Sequence, residues 1–447
     1  MSLKVIVVPL PYNLVKIAST SKQIHCQLIT ALAKENKIEC MPNSEIILIN
    51  ISGDDKPGVT TAITGILGKY DATILDIGQA DIHNTLSLGI LFKMSDNADS
   101  GNVLKEILFK CSELNVNVRF TPVTIDRYDN WVTQQGKSRY IVTVLGKVIT
   151  AKQLSMVTKV VSEQNLNIDS IIRLTGRPSL EVNDSNSVRA CVELSVRGTL
   201  NDKNALSAQF MRYSSELGID ISFQKDDMYR RNRRLICFDM DSTLIKTEVI
   251  DELAERAGVG AEVRAITESA MRGEIDFSES FKQRVALLKG LDESVLEDIA
   301  KHLPIMDGAE RLISILKKIG FKVAILSGGF SYFGNYLKRL FEVDYMYANE
   351  LEIIDSKLTG NYVGDIVDGK RKAELLKLIA QVEKIELEQV IAVGDGANDL
   401  PMLDLAGLGI AFHAKPKVKA NAQQSISTIG LDGVLYFLGF RDIHIGN

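Results

Sequence analysis

Leu235-Ile236-Cys237-Phe238-Asp239-Met240-Asp241-Ser242-Thr243 is an apolar run of four that stops at a pair of acids. A short, unbroken apolar run suits a strand buried on both faces, as the strands of a parallel sheet are. Three more such runs follow. Residues 321–326 lead into a helix at about 336–341, residues 389–393 into one at about 400–406, and 409–412 come last. Strands alternating with amphipathic helices predict an α/β domain built on a doubly wound parallel sheet, here over 233–447. Between its first and second strands, residues 248–304 read as helix after helix, which predicts a helical cap inserted into the domain.

Upstream of residue 230 the texture changes. A strand at 46–51, a Gly/Asp/Pro turn and a helix at 59–70 lead to strands at 73–76 and 86–92. A helix at 103–114 and a strand at 116–120 complete the unit. About ninety residues later the order returns: strand 140–145, helix 153–164, strands 168–171 and 188–196, helix 205–217, strand 220–223. A βαββαβ order met twice predicts two α+β modules, at 44–130 and 138–226. Residues 1–43 fit neither. Within them 5–11 reads as a buried strand rather than a leader, being short and interrupted by Pro9. Arg230, Arg231, Arg233 and Arg234, just ahead of the apolar run, read as a solvated linker.

With 447 residues, the chain exceeds what one hydrophobic core organises. Charged residues make up 24% and hydrophobic ones 45%, the net charge is −5, and acids and bases are interspersed. That balance argues against a nucleic-acid partner, which needs a clustered basic face. Cys26, Cys40, Cys111, Cys191 and Cys237 show no C-x-x-C spacing, and no two histidines stand four apart. Neither a zinc site nor a disulfide framework is expected, and the cysteine usage fits a reducing cytoplasm. Apolar runs fall short of the roughly 18 residues that a membrane helix needs.

Four pieces of the C-terminal half carry chemistry. They are Asp239-Met240-Asp241-Ser242-Thr243, Ser327-Gly328-Gly329, Lys372, and Gly394-Asp395-Gly396-Ala397-Asn398-Asp399. Three lie at carboxyl ends of predicted parallel strands, where open α/β sheets place their ligands. The residue types suit phosphate-ester cleavage, among the slowest reactions in water, for which a covalent route and strong electrostatics are needed. Asp239 is the candidate nucleophile. Because carboxylate and phosphate repel, a cation must bridge them, and Mg²⁺ with oxygen ligands is expected. Its candidate ligands are Asp239, Asp395 and the backbone carbonyl of Asp241. Two residues past the nucleophile, the Asp241 side chain can protonate the leaving oxygen and later deprotonate water. Ser327 and the Gly328 N–H form an anion cradle, Lys372 neutralises charge, and Asn398 and Asp399 steady the metal's surroundings and the lysine.

These pieces resemble the four motifs of the haloacid dehalogenase superfamily. From about 233 to 440 the likeness tightens to its phosphoserine-cleaving branch. It runs through Glu248-Val249-Ile250-Asp251-Glu252, Arg284-Val285-Ala286-Leu287-Leu288, Leu358-Thr359-Gly360 and Ala411-Phe412-His413-Ala414-Lys415-Pro416. The resemblance implies hydrolysis of O-phospho-L-serine to L-serine and phosphate, the last step of serine biosynthesis. It also implies that Glu248 and Arg284 in the cap contact the substrate, as a carboxylate pairing its ammonium and a guanidinium gripping its carboxylate. Phe277 and Met271 resemble apolar residues lining the substrate, while His413 and His302 read as structural. Phosphotransfer to an alcohol uses the same residues, and a catalytically dead amino-acid sensor is the alternative of another class.

Both N-terminal modules resemble ACT domains, which bind amino acids and pair across interfaces. The first has Asp54-Asp55-Lys56-Pro57-Gly58-Val59 at the usual ligand turn. The second has Gly146-Lys147-Val148-Ile149-Thr150 there and lacks the Pro-Gly pair. An amino-acid effector and a homodimer are the partners this implies, with the catalytic half able to work without residues 1–225.

Overall fold

A computed structural model describes residues 45–95, 100–177 and 189–445, so the expectations for residues 1–43 fall outside the described residues. The described residues form two compact units, divided between residues 136 and 137. In the first, β1 (Ile46–Asp54), α1 (Val59–Lys69), β2 (Thr73–Ile82), β3 (Thr85–Lys93), α2 (Ser100–Glu113) and β4 (Val116–Val123) follow the expected βαββαβ order. Strands pair antiparallel in the order β2-β3-β1-β4. Ile49, Ile51, Ile63, Phe92, Val103 and Ile107 form its core. Gly58 starts α1 at φ 98°, a left-handed conformation that favours glycine. A further helix, α3 (Ile125–Gln135), has no counterpart in the sequence reading. It buries no residue, so it leaves no apolar period to detect, and its visible signal is the Thr124 cap accepting from Arg127 N–H.

The second unit opens with the second module. β5 (Arg139–Gly146), α4 (Ala151–Glu163), β6 (Leu166–Arg173), β7 (Ala190–Gly198), α5 (Lys203–Leu217) and β8 (Asp220–Lys225) build a sheet ordered β6-β7-β5-β8. A capping box between Thr150 and Gln153 starts α4. Then comes β9 (Leu235–Phe238), followed by the cap helices α6 (Val249–Ala257), α7 (Gly260–Arg272), α8 (Phe277–Leu287) and α9 (Ser294–Lys301). The remainder is α10 (Ala309–Lys318), β10 (Lys322–Phe330), α11 (Ser331–Phe341), β11 (Tyr345–Ile354), β12 (Lys357–Val363), α12 (Gly369–Glu383), β13 (Val390–Gly394), β14 (Leu408–Phe412) and β15 (Gln424–Ile426), with short helices at Leu400–Leu405, Pro416–Asn421, Val434–Phe437 and Asp442–Ile445. Their sheet runs β12-β11-β10-β9-β13-β14-β15, parallel except for β12. β9, wholly buried, is its central strand.

Within this unit the second module is built into the α/β domain rather than strung beside it. Leu145, Leu174 and Cys191 belong to the same buried core as Tyr436 and Phe437. Asp220, at the start of β8, accepts from the N–H groups of Ser427 (2.8 Å) and Thr428 (2.9 Å). The Gln424 amide takes both hydrogen bonds of the Phe223 backbone, as a neighbouring strand would. The basic run is a solvated linker only in part, with Arg231 and Arg234 exposed. Arg230 is 3% exposed and paired with Glu193, and Arg233 donates to the Glu388 carbonyl.

Cap and core are joined by a two-stranded strap. Ile245 bridges Ile305, Lys246 N–H donates to Pro304 O (2.8 Å), and Met306 N–H to Leu244 O (2.9 Å). Next to the strap, Leu431 N–H donates to Asp307 O (2.7 Å), and buried Asp432 accepts from Arg311 (2.9 Å) and from Arg189 of the second module.

Candidate active site

Register brings the sequence motifs together. Phe238 lies opposite Ile325 of β10 and Val393 of β13, so Asp239, Ser327 and Asp395 leave the sheet along one edge. Asp239 is anchored by its N–H donating to Val393 O (2.9 Å). Lys372, wholly buried in the first turn of α12, reaches across with its Nζ 2.8 Å from Asp239 Oδ1 and 2.7 Å from Asp399 Oδ1. The other oxygen of Asp399 accepts from Gly396 N–H (2.9 Å). Asn398 sits beside it, its Oδ1 over Gly396. Thr243 Oγ1 donates to Asp395 Oδ1 (3.4 Å).

Asp241 points to the same mouth. Its Oδ1 accepts from Val249 N–H (2.9 Å), the first amide of α6, where the positive end of the helix favours a carboxylate. Its Oδ2 lies where a side chain on Gly329 would stand, 2.3 Å from such a Cβ. Ser327 is wholly buried, and its Oγ accepts from Gly329 N–H (2.8 Å), which leaves its hydroxyl proton free to donate. Phe277 from the cap covers Gly328, its ring tip 2.8 Å from where a Cβ would be. Glu248 accepts from Ser242 Oγ (2.8 Å), and half-buried Arg284 on α8 donates to Ser280 O (3.3 Å). Met271 is exposed at the end of α7 and touches Lys415 of the core. His302 and His413 each contact a backbone carbonyl, Asp298 O and Ile429 O.

Charge here is unbalanced. Asp239, Asp241, Glu248, Asp395 and Asp399 face two cations, Lys372 and Arg284. Burial first, then Asp399, raises the Asp239 carboxyl, with Lys372 opposing; burial and Glu248 raise Asp241; burial and Asp399 lift Asp395 to about 7. Water reaches Glu248, yet the protein crowded about it raises its carboxyl too. Burial works to lower the Lys372 ammonium, but Asp239 and Asp399 outweigh it and hold it above its ordinary value. Burial lowers the Arg284 guanidinium, against Glu248, Asp251 and Asp241. Hard oxygens with surplus negative charge fit a divalent cation. One oxygen each of Asp239, Asp395 and Asp399 fall within 4.8 Å of one another. Asp399 already gives both oxygens to Lys372 and Gly396, so Asp239 and Asp395 are the carboxylates with capacity to spare.

Comparison with known proteins gives the chain a family. The profile of haloacid dehalogenase-like hydrolases matches residues 233–407, and ACT-domain profiles match 45–121 and 138–224. A phosphoserine phosphatase of Mycobacterium tuberculosis is 38% identical over 399 residues, covering 89% of this chain and 94% of that protein. The chain belongs to the phosphoserine phosphatase family. A second phosphoserine phosphatase, from Archaeoglobus fulgidus, is 41% identical over 77% of the chain and 95% of its own length. Among solved structures, a probable phosphoserine phosphatase from Vibrio cholerae superposes with a TM-score of 0.53 at 34% identity, over 69% of this chain and 88% of that one. A haloacid dehalogenase-family hydrolase from Salmonella enterica gives 0.55 at 31% identity, over 67% and 98%.

One residue beside this candidate site escapes a reading of motifs. Asn349, 2% exposed on β11, donates to Gly328 O (2.8 Å) and accepts from Val367 N–H (2.8 Å). It clamps the irregular Ser327–Gly329 stretch of β10 to the segment leading into α12. It is a polar residue inside a strand, and that was its only signal.

Proposed function

We propose that this chain is a Mg²⁺-dependent hydrolase of O-phospho-L-serine, releasing L-serine and phosphate. The observation that carries this is the buried Asp239–Lys372–Asp399 chain set at one sheet edge with Asp241 and Ser327, under a cap that presents Glu248 and Arg284. In the first half-reaction an Asp239 carboxylate oxygen forms a bond to phosphorus while the bond from phosphorus to the serine oxygen breaks. Asp241 gives that oxygen its proton. In the second, Asp241 takes a proton from water, which attacks the aspartyl-phosphate and frees Asp239. Ser327 Oγ–H and the Gly328 N–H donate to the phosphoryl oxygens, and Lys372 lowers the repulsion between carboxylate and phosphate. Asp239, Asp395 and the Asp241 carbonyl would hold the metal, with Asn398 and Asp399 beside them. When bound, Mg²⁺ would supply positive charge that offsets the repulsion of carboxylate and phosphate. Glu248 takes the substrate ammonium and Arg284 its carboxylate, with Phe277 closing over the phosphoryl turn.

The test is phosphate release from a panel of phosphomonoesters, with Mg²⁺ and with EDTA, alongside a search for phosphorylated acceptor alcohols. Phosphoserine should be the preferred substrate and chelation should abolish turnover. Activity that survives exhaustive chelation contradicts the metal role, and transfer to acceptors in place of hydrolysis contradicts the reaction.

The ACT modules support an amino-acid effector and a homodimer. The turn around Asp55–Gly58 offers backbone N–H groups at the start of α1. β2, at a sheet edge, exposes Ile74, Ile77 and Ile82, an apolar edge that a second copy would cover. Sedimentation should give twice the chain mass, and replacing Ile77 and Ile82 with Lys should halve it. No described helix is long and apolar enough to cross a membrane. With Cys111, Cys191 and Cys237 buried as free thiols, the cytoplasm is the compartment proposed.

A further inference from the structure

Leu358-Thr359-Gly360 stands on β12, the antiparallel edge strand of the large sheet, and its neighbours belong to the cap. Gly290 N–H donates to Leu358 O (2.8 Å), Leu358 N–H to Leu291 O (2.9 Å) and Glu293 N–H to Ser356 O (2.9 Å). Asp292 bridges Lys357 in the antiparallel sense. The link from α8 to α9 is thus laid along β12 as one more short strand, which covers part of the sheet's open edge.

Side chains follow the backbone. Phe281 on α8, 3% exposed, stands edge-on to Tyr362 of β12, with ring centres 5.5 Å apart, and 6.0 Å from the ring of Phe330 at the end of β10. Gly360 has a φ of 88°, and a Cβ there would lie 3.1 Å from both Ala286 O and Lys289 Cβ. Its bare backbone is what lets the end of α8 come so close. The same helix carries Phe277 and Arg284, so the strand that receives it decides where they stand.

The other arm of the hairpin reaches the phosphoryl end of the candidate site. On β11, Asn349 donates to Gly328 O (2.8 Å), and Leu351 is paired with Tyr362. Where the pairing becomes irregular between Leu351 and Ile353, Thr359 Oγ1 (2.7 Å) and the Asn361 amide (3.1 Å) both donate to Glu352. One hairpin therefore grips both the candidate phosphate cradle and the helix that bears Arg284. A ligand held at its two ends is sorted by how well it fits that fixed span.

We propose that the β11–β12 hairpin sets α8 over the phosphate cradle, with Gly360 and Tyr362 as positioning residues for substrate specificity. They fix the distance from Gly328 to the Arg284 guanidinium, and with it the selection of a phosphate ester that bears a carboxylate. The proposal rests on the reading of Arg284 as the group that takes the substrate carboxylate. Neither residue touches the reacting atoms; both act through α8.

Steady-state kinetics on the full-length chain tests it, with O-phosphoserine and O-phosphoethanolamine, which lacks only the carboxylate. Gly360→Ala drives α8 outward, and Tyr362→Ala removes the ring beneath Phe281. The control is Gly364→Ala, because Gly364 has a φ of 80° and open space around it, so alanine there meets similar backbone strain and no neighbour. A displacement of 1 Å costs roughly a hundredfold, and a shift of a few tenths should cost about tenfold. The expected result is a fall of about tenfold in kcat/KM for phosphoserine relative to phosphoethanolamine in Gly360→Ala and Tyr362→Ala. It should arise through KM, with kcat on phosphoethanolamine unchanged and Gly364→Ala kinetically like wild type. Should Gly360→Ala fail to fold, Tyr362→Ala, at a half-buried position, decides. An unaltered ratio between the two substrates, even with a lowered thermal midpoint, makes the hairpin merely structural and overturns the proposal. So does an equal shift in Gly364→Ala. A wild-type enzyme that does not cleave phosphoserine overturns the reading of Arg284 and this proposal with it, whereas wild-type cleavage with an unaltered ratio overturns this proposal alone.

Discussion

Lys372 makes no contact with water, and its ammonium is shared between Asp239 and Asp399. Breaking a buried pair from one side leaves uncompensated charge, typically about 3–5 kcal/mol. Lys372→Met should therefore lower stability by about that amount and abolish turnover, as chemical denaturation and a phosphate assay would show. Asp239→Asn is a different lesion. The amide keeps the shape but cannot attack phosphorus, so kcat should drop by roughly a thousandfold or more. More than a tenth of wild-type activity would remove Asp239 from its role. Arg284→Ala should raise the barrier for phosphoserine by a few kcal/mol, on the order of a hundredfold, and spare a phosphate ester lacking a carboxylate. Equal losses on both would make Arg284 a structural residue. Asp239 and Lys372 were read from short motifs, at a strand end and at a helix start, and Arg284 from the family resemblance. Asn349 was not, since a single polar residue in a strand carries no spacing to read. Asn349→Ala should orphan Gly328 O and Val367 N–H, costing about 2 kcal/mol or more in an unfolding titration.

Turns at the carboxyl ends of β9, β10 and β13 carry the site, and their glycines are set by steric need. A Cβ on Gly329 would stand 2.3 Å from Asp241 Oδ2 and 2.8 Å from Met240 Cε. Gly329→Ala should push aside the Asp241 carboxylate, the proposed acid and base. Displacement of about 1 Å is enough to cost on the order of a hundredfold in rate. The variant should still fold, with kcat rather than the thermal midpoint reporting the damage; unaltered kcat would mean the turn yields freely. Elements that bury a face announced themselves: β9, β13 and β14 are continuous apolar runs, and the cap is a series of amphipathic helices. The β11–β12 hairpin did not. It lies at the sheet's edge, and β12 alternates small and polar residues with Leu358, Tyr362 and Val363. β15 has three residues, too few for any period.

At the scale of the molecule, what the sequence presents as a second module before a catalytic half is one folded unit in space. Leu145, Leu174 and Cys191 pack into the catalytic core, and Asp220, Glu193 and Arg189 are tied to residues on the other side. A chain starting at 137 should keep its activity, whereas one starting at 226 exposes that apolar face and should aggregate or lose most of its turnover. Equal specific activity from the two truncations would show that the packing is dispensable. Linear reading could not foresee this, because partners such as Asp220 and Ser427 lie 207 residues apart. That separation has a consequence during synthesis. A ribosome adding about 5–20 residues each second needs roughly 10–40 s to pass from one partner to the other. For that interval the nascent second module carries its apolar face uncovered, and the strap's anchor at Asp432 has not yet been translated. The segment around Ser427 and Asp432 is therefore the one that seals the module, and chaperone demand should peak just before it emerges.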